Sequence, residues 1–249
     1  MGFTYIVFVS PERIDEIEKC PRANPVEEDE FKYSLYLFPF LGSSQTLIWQ
    51  KSFGGTKNDL AFALHPHSFG GFVVGGAIES PESVTFPHAN VGMKDFFMMR
   101  INDTGDRQFS VSYGGTRNEE VTAITENAGR ITMAGYTAST DVDVSGNHGL
   151  TDAWIIRYYN GVVEWKKNYG GTRFDKISAI QQTADGGYIF VGYTESTDGD
   201  LAYKTTATTD AWIVKLDATG NILWQKVIVA NTLDNVPVTL AHSVKATAD

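Results

Sequence analysis

The 249-residue chain contains a single cysteine, Cys20, so it cannot form an internal disulfide. Basic residues are also few, because 20 lysines and arginines stand against 30 aspartates and glutamates, a formal net charge of −10. A nucleic-acid-binding protein needs a basic surface that neutralises phosphates, and docking on an anionic membrane needs basic residues as well. We therefore expect neither nucleic acid nor a membrane surface as a partner.

Long hydrophobic runs are missing too. No stretch approaches the ~18 apolar residues of a membrane span, so we expect no membrane insertion. The opening, MGFTYIVFVS, is apolar but has no basic start and no small-residue cleavage site, so it is not predicted to be a signal peptide. A helical period of 3.6 residues is absent apart from a weak one at 13–19. These absences favour an all-β chain.

What the chain does contain is a repeat of three phrases. The first carries a Gly-Gly-Thr turn, the second a glycine followed by apolar residues, and the third an aspartate that opens an alternating run. The first phrase occupies 49–59, 109–119, 165–175 and, without its glycine pair, 224–234; the second 70–80, 129–139 and 186–196; the third 95–106, 152–162 and 210–221. The repeating unit is about 57 residues long, which is a period typical of propellers and solenoids.

Within each unit the hydrophobic period is two, which predicts strands. In the run 212–216, for example, Trp212, Val214 and Leu216 share one face while Lys215 points away from it. Glycine-containing turns separate these runs, so each unit is predicted to form four antiparallel strands, a to d. In the best-preserved unit these strands are expected at about 177–182, 187–194, 210–216 and 222–228.

Four strands in each repeated unit are typical of a β-propeller blade. The phrases GGT, DGGYI, DAWIVKLD and GNILWQK resemble, over roughly residues 45–235, the propeller repeats of large secreted and cell-surface bacterial proteins that are common in Bacteroidetes. This resemblance implies a secreted or surface-exposed binding scaffold. It implies no particular chemistry.

The two ends of the chain are predicted to complete one further blade. Residues 241–249 align with 177–185 as strand a, 5–12 align with 188–195 as strand b, and 33–41 and 46–53 fit strands c and d. We therefore expect one domain of four blades, closed by the C-terminal strand a against the N-terminal strand b, with Leu240 and Val244 buried. The predicted blades are 240–249 with 1–53, 54–113, 114–169 and 170–229. A monomer is expected, although an open slice of a larger two-chain ring is an alternative.

All the long connections join strand b to strand c, at about 12–32, 79–94, 137–151 and 195–209. They are predicted to gather with the Gly-Gly-Thr turns on one end of the blades, which we call the long-loop face, and rigid strands that present variable loops commonly carry binding sites. The candidate ligand-binding residues there are Asp59, Glu119, Asp175, Asp95, Asp152, Asp210, His88 and His148. Because the acids recur in every unit, they are interpreted first as acceptors for turn amides. Acid–base catalysis or a cation site is the alternative.

One loop resembles the start of a calcium-binding loop. Asp141, Asp143 and Ser145 precede Gly146, and alternate oxygens at this spacing converge on a hard cation. No glutamate follows at the twelfth position, which Asp152 occupies, so an ordinary polar turn is the first interpretation and a calcium site at Asp141, Asp143 and Ser145 is the alternative. No other cofactor is expected, because the five histidines are scattered and zinc needs three or four convergent ligands.

The sequence favours a non-enzymatic binding module that takes a protein or a glycan on the long-loop face. Two alternatives stay open. One is a polysaccharide hydrolase or lyase that uses unrepeated loop carboxylates. The other is a purely structural module of a larger surface protein.

Overall fold

The computed structural model describes residues 47–81, 90–229 and 238–245. The chain divides into two compact units, Met1–Thr4 with Lys51–Asp249 and Tyr5–Gln50. All described strands belong to the first unit. Within the described residues, no helical segment has the length and apolar character needed to span a bilayer.

The described part of the chain contains twelve strands in three four-stranded antiparallel sheets, each with its strands in chain order. The first sheet is β1 (Asp59–Pro66), β2 (Phe72–Ile78), β3 (Asp95–Ile101) and β4 (Arg107–Tyr113); the second is β5 (Glu119–Asn127), β6 (Arg130–Thr137), β7 (Asp152–Tyr159) and β8 (Val162–Tyr169); the third is β9 (Asp175–Gln182), β10 (Tyr188–Thr194), β11 (Asp210–Leu216) and β12 (Ile222–Ile228). This confirms the all-β class and the four-strand unit. A short 3-10 turn, Gly199–Leu201, lies between β10 and β11.

A glycine in the second strand of each sheet allows the first strand to bulge against it. The pairing shifts register in the middle of each first strand, and a Cβ atom on the facing glycine would overlap a first-strand carbonyl oxygen. The three glycines are Gly76, Gly135 and Gly192. A bulge bends its strand and increases the local twist. The recurrent glycine of the second phrase is therefore explained by close backbone approach.

The sheets pack face to face in chain order, with a hydrophobic core at each of two junctions. Phe96 of the first sheet contacts Trp154 of the second, with ring centroids 4.6 Å apart, in the first core. Ile155, on the opposite face of the second sheet, belongs to the second core with Phe190 and Trp212 of the third, whose rings meet edge to face at 5.3 Å. The alternation along each strand thus supplies both neighbouring sheets with apolar side chains.

The same backbone contact marks each junction. Parallel bridges join Lys94 to Asn118 and Thr151 to Phe174, directly before β5 and β9 begin. A third bridge of this kind joins Thr209 to Val238, and the amide of the next residue, Thr239, donates to the Thr209 carbonyl at 3.0 Å. The segment 238–245 therefore begins where a further first strand would begin.

The described residues form three sheets and no closed ring. The predicted first blade falls mostly outside them, since 1–46 and 246–249 are not described. Two expectations are corrected: the structure assigns no strand to 47–53, and Leu240 is 43% exposed. Leu240 occupies the position of Glu120 and Lys176, the second residue of each first strand, which alternation directs away from the core.

Candidate functional site

The first acid of each unit holds the Gly-Gly-Thr turn against the end of the second strand. Glu119 accepts hydrogen bonds from the Gly115 amide at 2.9 Å, the Thr137 hydroxyl at 2.8 Å and the Ser139 amide at 3.1 Å. The equivalent acids do the same, Asp175 with Gly171 and Ser196 and Asp59 with Gly55 and Ser80. These acids bond to turn amides, as the structural interpretation predicts.

The second acid closes the long loop that precedes it. Asp152 accepts from the His148 amide at 3.0 Å and lies 2.7 Å from His148 Nδ1, which places His148 on the long-loop face as a partner of this acid. Asp95 accepts from the Val91 amide at 2.9 Å. The three second acids, Asp95, Asp152 and Asp210, are all buried. His88, the other histidine candidate, lies outside the described residues.

Lys204 was not singled out by sequence reasoning. Its ammonium group lies 3.0 Å from the Asp210 carboxylate and donates to the Thr206 and Thr208 carbonyls at 2.7 Å each. Both charged side chains are almost completely buried, at 2% and 0% exposure. No sequence signal pointed to this pair, because the lysine lies in a loop that does not repeat.

Burial raises the pKa values of two of these acids, Asp95 and Asp152. It raises the pKa of Asp95 to about 6, against a hydrogen bond from Val91 and with help from the charges of Glu119 and Asp143. Burial likewise raises the pKa of Asp152 to about 6, against hydrogen bonds from His148. One buried oxygen of each group, Oδ1, has no hydrogen-bond partner. The raised pKa values mean that these acids take up protons at a higher pH than an ordinary aspartate. Their side chains are buried, so a large ligand does not reach them.

Two residues of the predicted calcium loop, Asp141 and Asp143, contact other side chains and backbone groups of the protein. Asp141 accepts from the Thr116 amide and hydroxyl, both at 2.9 Å, and Asp198 binds Thr172 in the same way in the next unit. Asp143 lies 3.7 Å from Lys166. Among the described residues, no group of three or more His, Cys, Asp or Glu side chains could hold a metal ion. Calcium at Asp141, Asp143 and Ser145 stays an untested alternative to an ordinary polar turn.

The long-loop face carries a set of exposed apolar side chains, which we call the loop-face apolar set. They share a position in the b–c loops and an exposure of 49–63%. The set is Val91 and Met93 in the first loop, Val142 and Leu150 in the second, and Tyr203 in the third. Val91 and Met93 lie in the described end of the first loop, where the Val91 amide donates to Asp95.

A cleft of about 440 Å³ opens at the other end of the sheets, where the first strands finish. We call it the end cleft. Its apolar residues are Ile124, Ile180 and Val244, and its polar residues are His65, Thr125, Glu126, Asn127, Gln181 and Gln182. Sequence reasoning missed it, since its residues come from four distant segments.

No protein-family model matches the chain, and no curated protein matches it either.

Proposed function

We propose that the chain is a β-propeller of four four-stranded blades, in which the chain ends supply the fourth. The position of Val238 and Thr239 supports this, because it repeats the contact that joins the other sheets. The first sheet supports it as well. Phe97 and Met99 alternate with the residues that face the second sheet, yet they are only 4% and 2% exposed, as a fourth sheet against that face would make them.

This architecture predicts that the terminal segment is indispensable. Removing 240–249 would delete the Ala241 amide that donates to the Gly192 carbonyl at 3.4 Å and would leave strand edges unpaired, which promotes aggregation. We expect the truncated protein to be aggregated or unfolded in size-exclusion chromatography and circular dichroism. A truncated protein that is monomeric and melts like the full chain would contradict the four-blade closure.

We infer that the module is non-enzymatic and binds a protein through the long-loop face. The observation that carries this inference is the loop-face apolar set, because its five exposed side chains lie in loops at the same end of the three sheets and large exposed apolar patches mark protein-binding sites. Aliphatic side chains such as Val142 and Leu150 favour a protein over a glycan, which needs hydrogen-bonding groups. The resemblance of the repeats to secreted and cell-surface bacterial proteins supports an extracellular setting.

A polysaccharide hydrolase or lyase is less well supported. It needs two accessible carboxyl groups about 5–9.5 Å apart. Asp95 and Asp152, whose pKa values are raised, are buried, and the more exposed Asp141 and Asp198 are bonded to threonines. No observation among the described residues favours catalysis over binding.

The test compares two surface variants of the whole chain. The loop-face variant combines Met93→Asp, Val142→Asp and Leu150→Asp. The control combines Val162→Asp and Leu223→Asp, which are 62% and 57% exposed. These two residues lie at the start of the fourth strands β8 and β12, away from the long-loop face. Both should melt like the wild type.

Crosslinking and mass spectrometry of proteins captured from a native extract then separate the outcomes. We expect a partner that the wild type and the control retain and the loop-face variant loses. Equal capture by all three proteins would overturn the assignment of this face.

A further inference from the structure

We propose that the end cleft binds a neutral carbohydrate of one or two sugar rings. Its volume of about 440 Å³ falls within the roughly 300–1,000 Å³ of small-molecule sites. It lies where the first strands end, whereas the long-loop face lies where they begin. The proposal is therefore independent of the protein partner proposed above.

The floor of the end cleft follows the repeat. Ile124 and Ile180 stand five residues after the first acids Glu119 and Asp175, and Val244 stands five residues after Thr239, which begins the next strand at the third junction. Ile124 and Ile180 are only 7% exposed and belong to the hydrophobic cores. These positions repeat because the packing of the sheets requires an apolar side chain there.

The rim does not follow the repeat. The next position along each first strand carries His65, Thr125 and Gln181, three different side chains that share only the capacity for hydrogen bonding. The packing of the sheets accepts any of these residues, so it does not explain why each of them is polar. A polar rim of this kind is what a ligand that forms hydrogen bonds in the end cleft requires.

The rim chemistry suits hydroxyl groups. Gln181, Gln182 and Asn127 each carry an amide, a group that can donate and accept, and Thr125 adds a hydroxyl. The Gln182 nitrogen already donates to the Gly186 carbonyl at 3.3 Å. Each sugar hydroxyl also donates and accepts, so such side chains can pair with it in either direction. Small-molecule sites are usually lined mainly by apolar side chains, so a lining with so many polar groups favours a ligand rich in hydroxyls.

The charge of the end cleft disfavours an ionic ligand. Its one lining carboxylate, Glu126, accepts from the Ser68 amide at 2.9 Å, the Ser68 hydroxyl at 2.8 Å and the Gly129 amide at 2.6 Å. Burial raises the pKa of Glu126, but these hydrogen bonds outweigh burial and leave the pKa below its usual value, so the group stays ionised. An anion is repelled by this carboxylate, and a cation finds it already engaged.

The experiment titrates the full chain with neutral sugars, namely glucose, galactose, mannose, N-acetylglucosamine, lactose and cellobiose, and with glucuronic acid as the anionic probe. Saturation-transfer NMR detects binding and isothermal calorimetry measures it. The test variants are Gln181→Ala and Thr125→Val. The matched controls are Gln108→Ala and Thr205→Val, whose side chains are exposed elsewhere on the protein.

We expect saturable binding of at least one neutral sugar, no binding of glucuronic acid, and a loss of affinity of tenfold or more in a folded test variant but not in the controls. Two substitutions are used so that one remains informative if the other prevents folding. No neutral sugar binding, binding that survives both test substitutions, or binding of glucuronic acid alone would each overturn the proposal. An uncharged, end-blocked tripeptide such as N-acetyl-triglycine amide that competes with the sugar series and binds more tightly would assign the end cleft to peptides and overturn it as well.

Discussion

Buried acids between the sheets should make the protein more stable at mildly acidic pH than at neutral pH. Asp95 is 1% exposed, and its pKa of about 6 in the folded protein compares with an ordinary value of 3.8. A carboxyl group whose pKa is raised by folding binds more protons in the folded state than in the unfolded state. Its contribution to stability is therefore complete below about pH 3.8 and is lost as the pH rises through about 6.

The size of the effect follows from the difference between the two pKa values. At 1.36 kcal/mol for each pH unit, Asp95 lowers the free energy of unfolding at pH 7 by about 3 kcal/mol relative to its protonated form. Asp152, with a pKa raised to about 6, acts in the same direction. Exposed acids act oppositely. The hydrogen bond from Lys51 lowers the pKa of Asp106, so the contribution of Asp106 to the stability of the protein is present at neutral pH and is lost only as the pH falls below the ordinary pKa of 3.8. The free energy of unfolding should therefore fall as the pH rises from 5 to 7.

Urea unfolding at pH 5.0, 6.0, 7.0 and 8.0 measures this dependence. In the wild type the free energy of unfolding should fall between pH 5 and pH 7. Asp95→Asn should reduce that fall by about 1 kcal/mol, because more than half of the roughly 3 kcal/mol is already lost at pH 5. The variant should be at least as stable as the wild type at pH 8, because the amide side chain carries no charge to bury. Asp106→Asn is the control and should leave the fall unchanged. A wild-type stability that rises steadily from pH 5 to pH 8 would refute the reasoning.

Three further experiments test other features. Gly135→Ala should lower the free energy of unfolding by about 3 kcal/mol in urea titration, because its Cβ would overlap the Glu120 carbonyl oxygen; a loss under about 1 kcal/mol would show that the bulge is not tight. Lys204→Met should lower it by about 3–5 kcal/mol because it strands the buried Asp210 charge, and adding Asp210→Asn should recover part of the loss. For calcium, we expect no rise in melting temperature at saturating concentration; a rise that Asp143→Ala abolishes would establish the site instead.

The strands of the third sheet could be predicted closely from the sequence. Strand a was expected at about 177–182 and is Asp175–Gln182, and strand d was expected at 222–228 and is Ile222–Ile228. The repeat makes this possible, since three copies of one phrase define the alternation and the turns better than one copy could. The first blade depended on a more distant alignment, and the assignment of 47–53 to a strand was wrong.

The predicted burial of Leu240 shows why apolar character alone is a poor guide. Residues 119, 175 and 239 correspond at the sheet junctions, so Leu240 falls on the face that Glu120 and Lys176 occupy. The register of the repeat therefore predicts that Leu240 points away from the core, as observed. Val244, five residues after Thr239, is partly buried beside the end cleft.

The residues of the candidate sites also differ in whether the repeat predicts them. The roles of Glu119 and Asp175 could be predicted because a residue that recurs in each unit serves each unit. The end cleft could not be predicted, because His65, Thr125 and Gln181 share no residue type and become neighbours only when three sheets are packed. Periodicity identifies what the fold repeats, and it says nothing about side chains that differ between the copies.

The third junction shows how one departure from the repeat is compensated by another. At the first two junctions a second acid lies near the first acid of the next unit, Asp95 near Glu119 and Asp152 near Asp175, and each such pair adds repulsion to the cost of burial. At the third junction the next unit begins with Thr239, so Asp210 has no acid at that position. Asp210 instead pairs with Lys204. Hydrogen bonds from the Lys204 ammonium group to the Thr206 and Thr208 carbonyls fix that group in the loop. A buried lysine is tolerable only where its charge is matched, and at this junction the Asp210 carboxylate, 3.0 Å from the Lys204 ammonium group, supplies the matching charge.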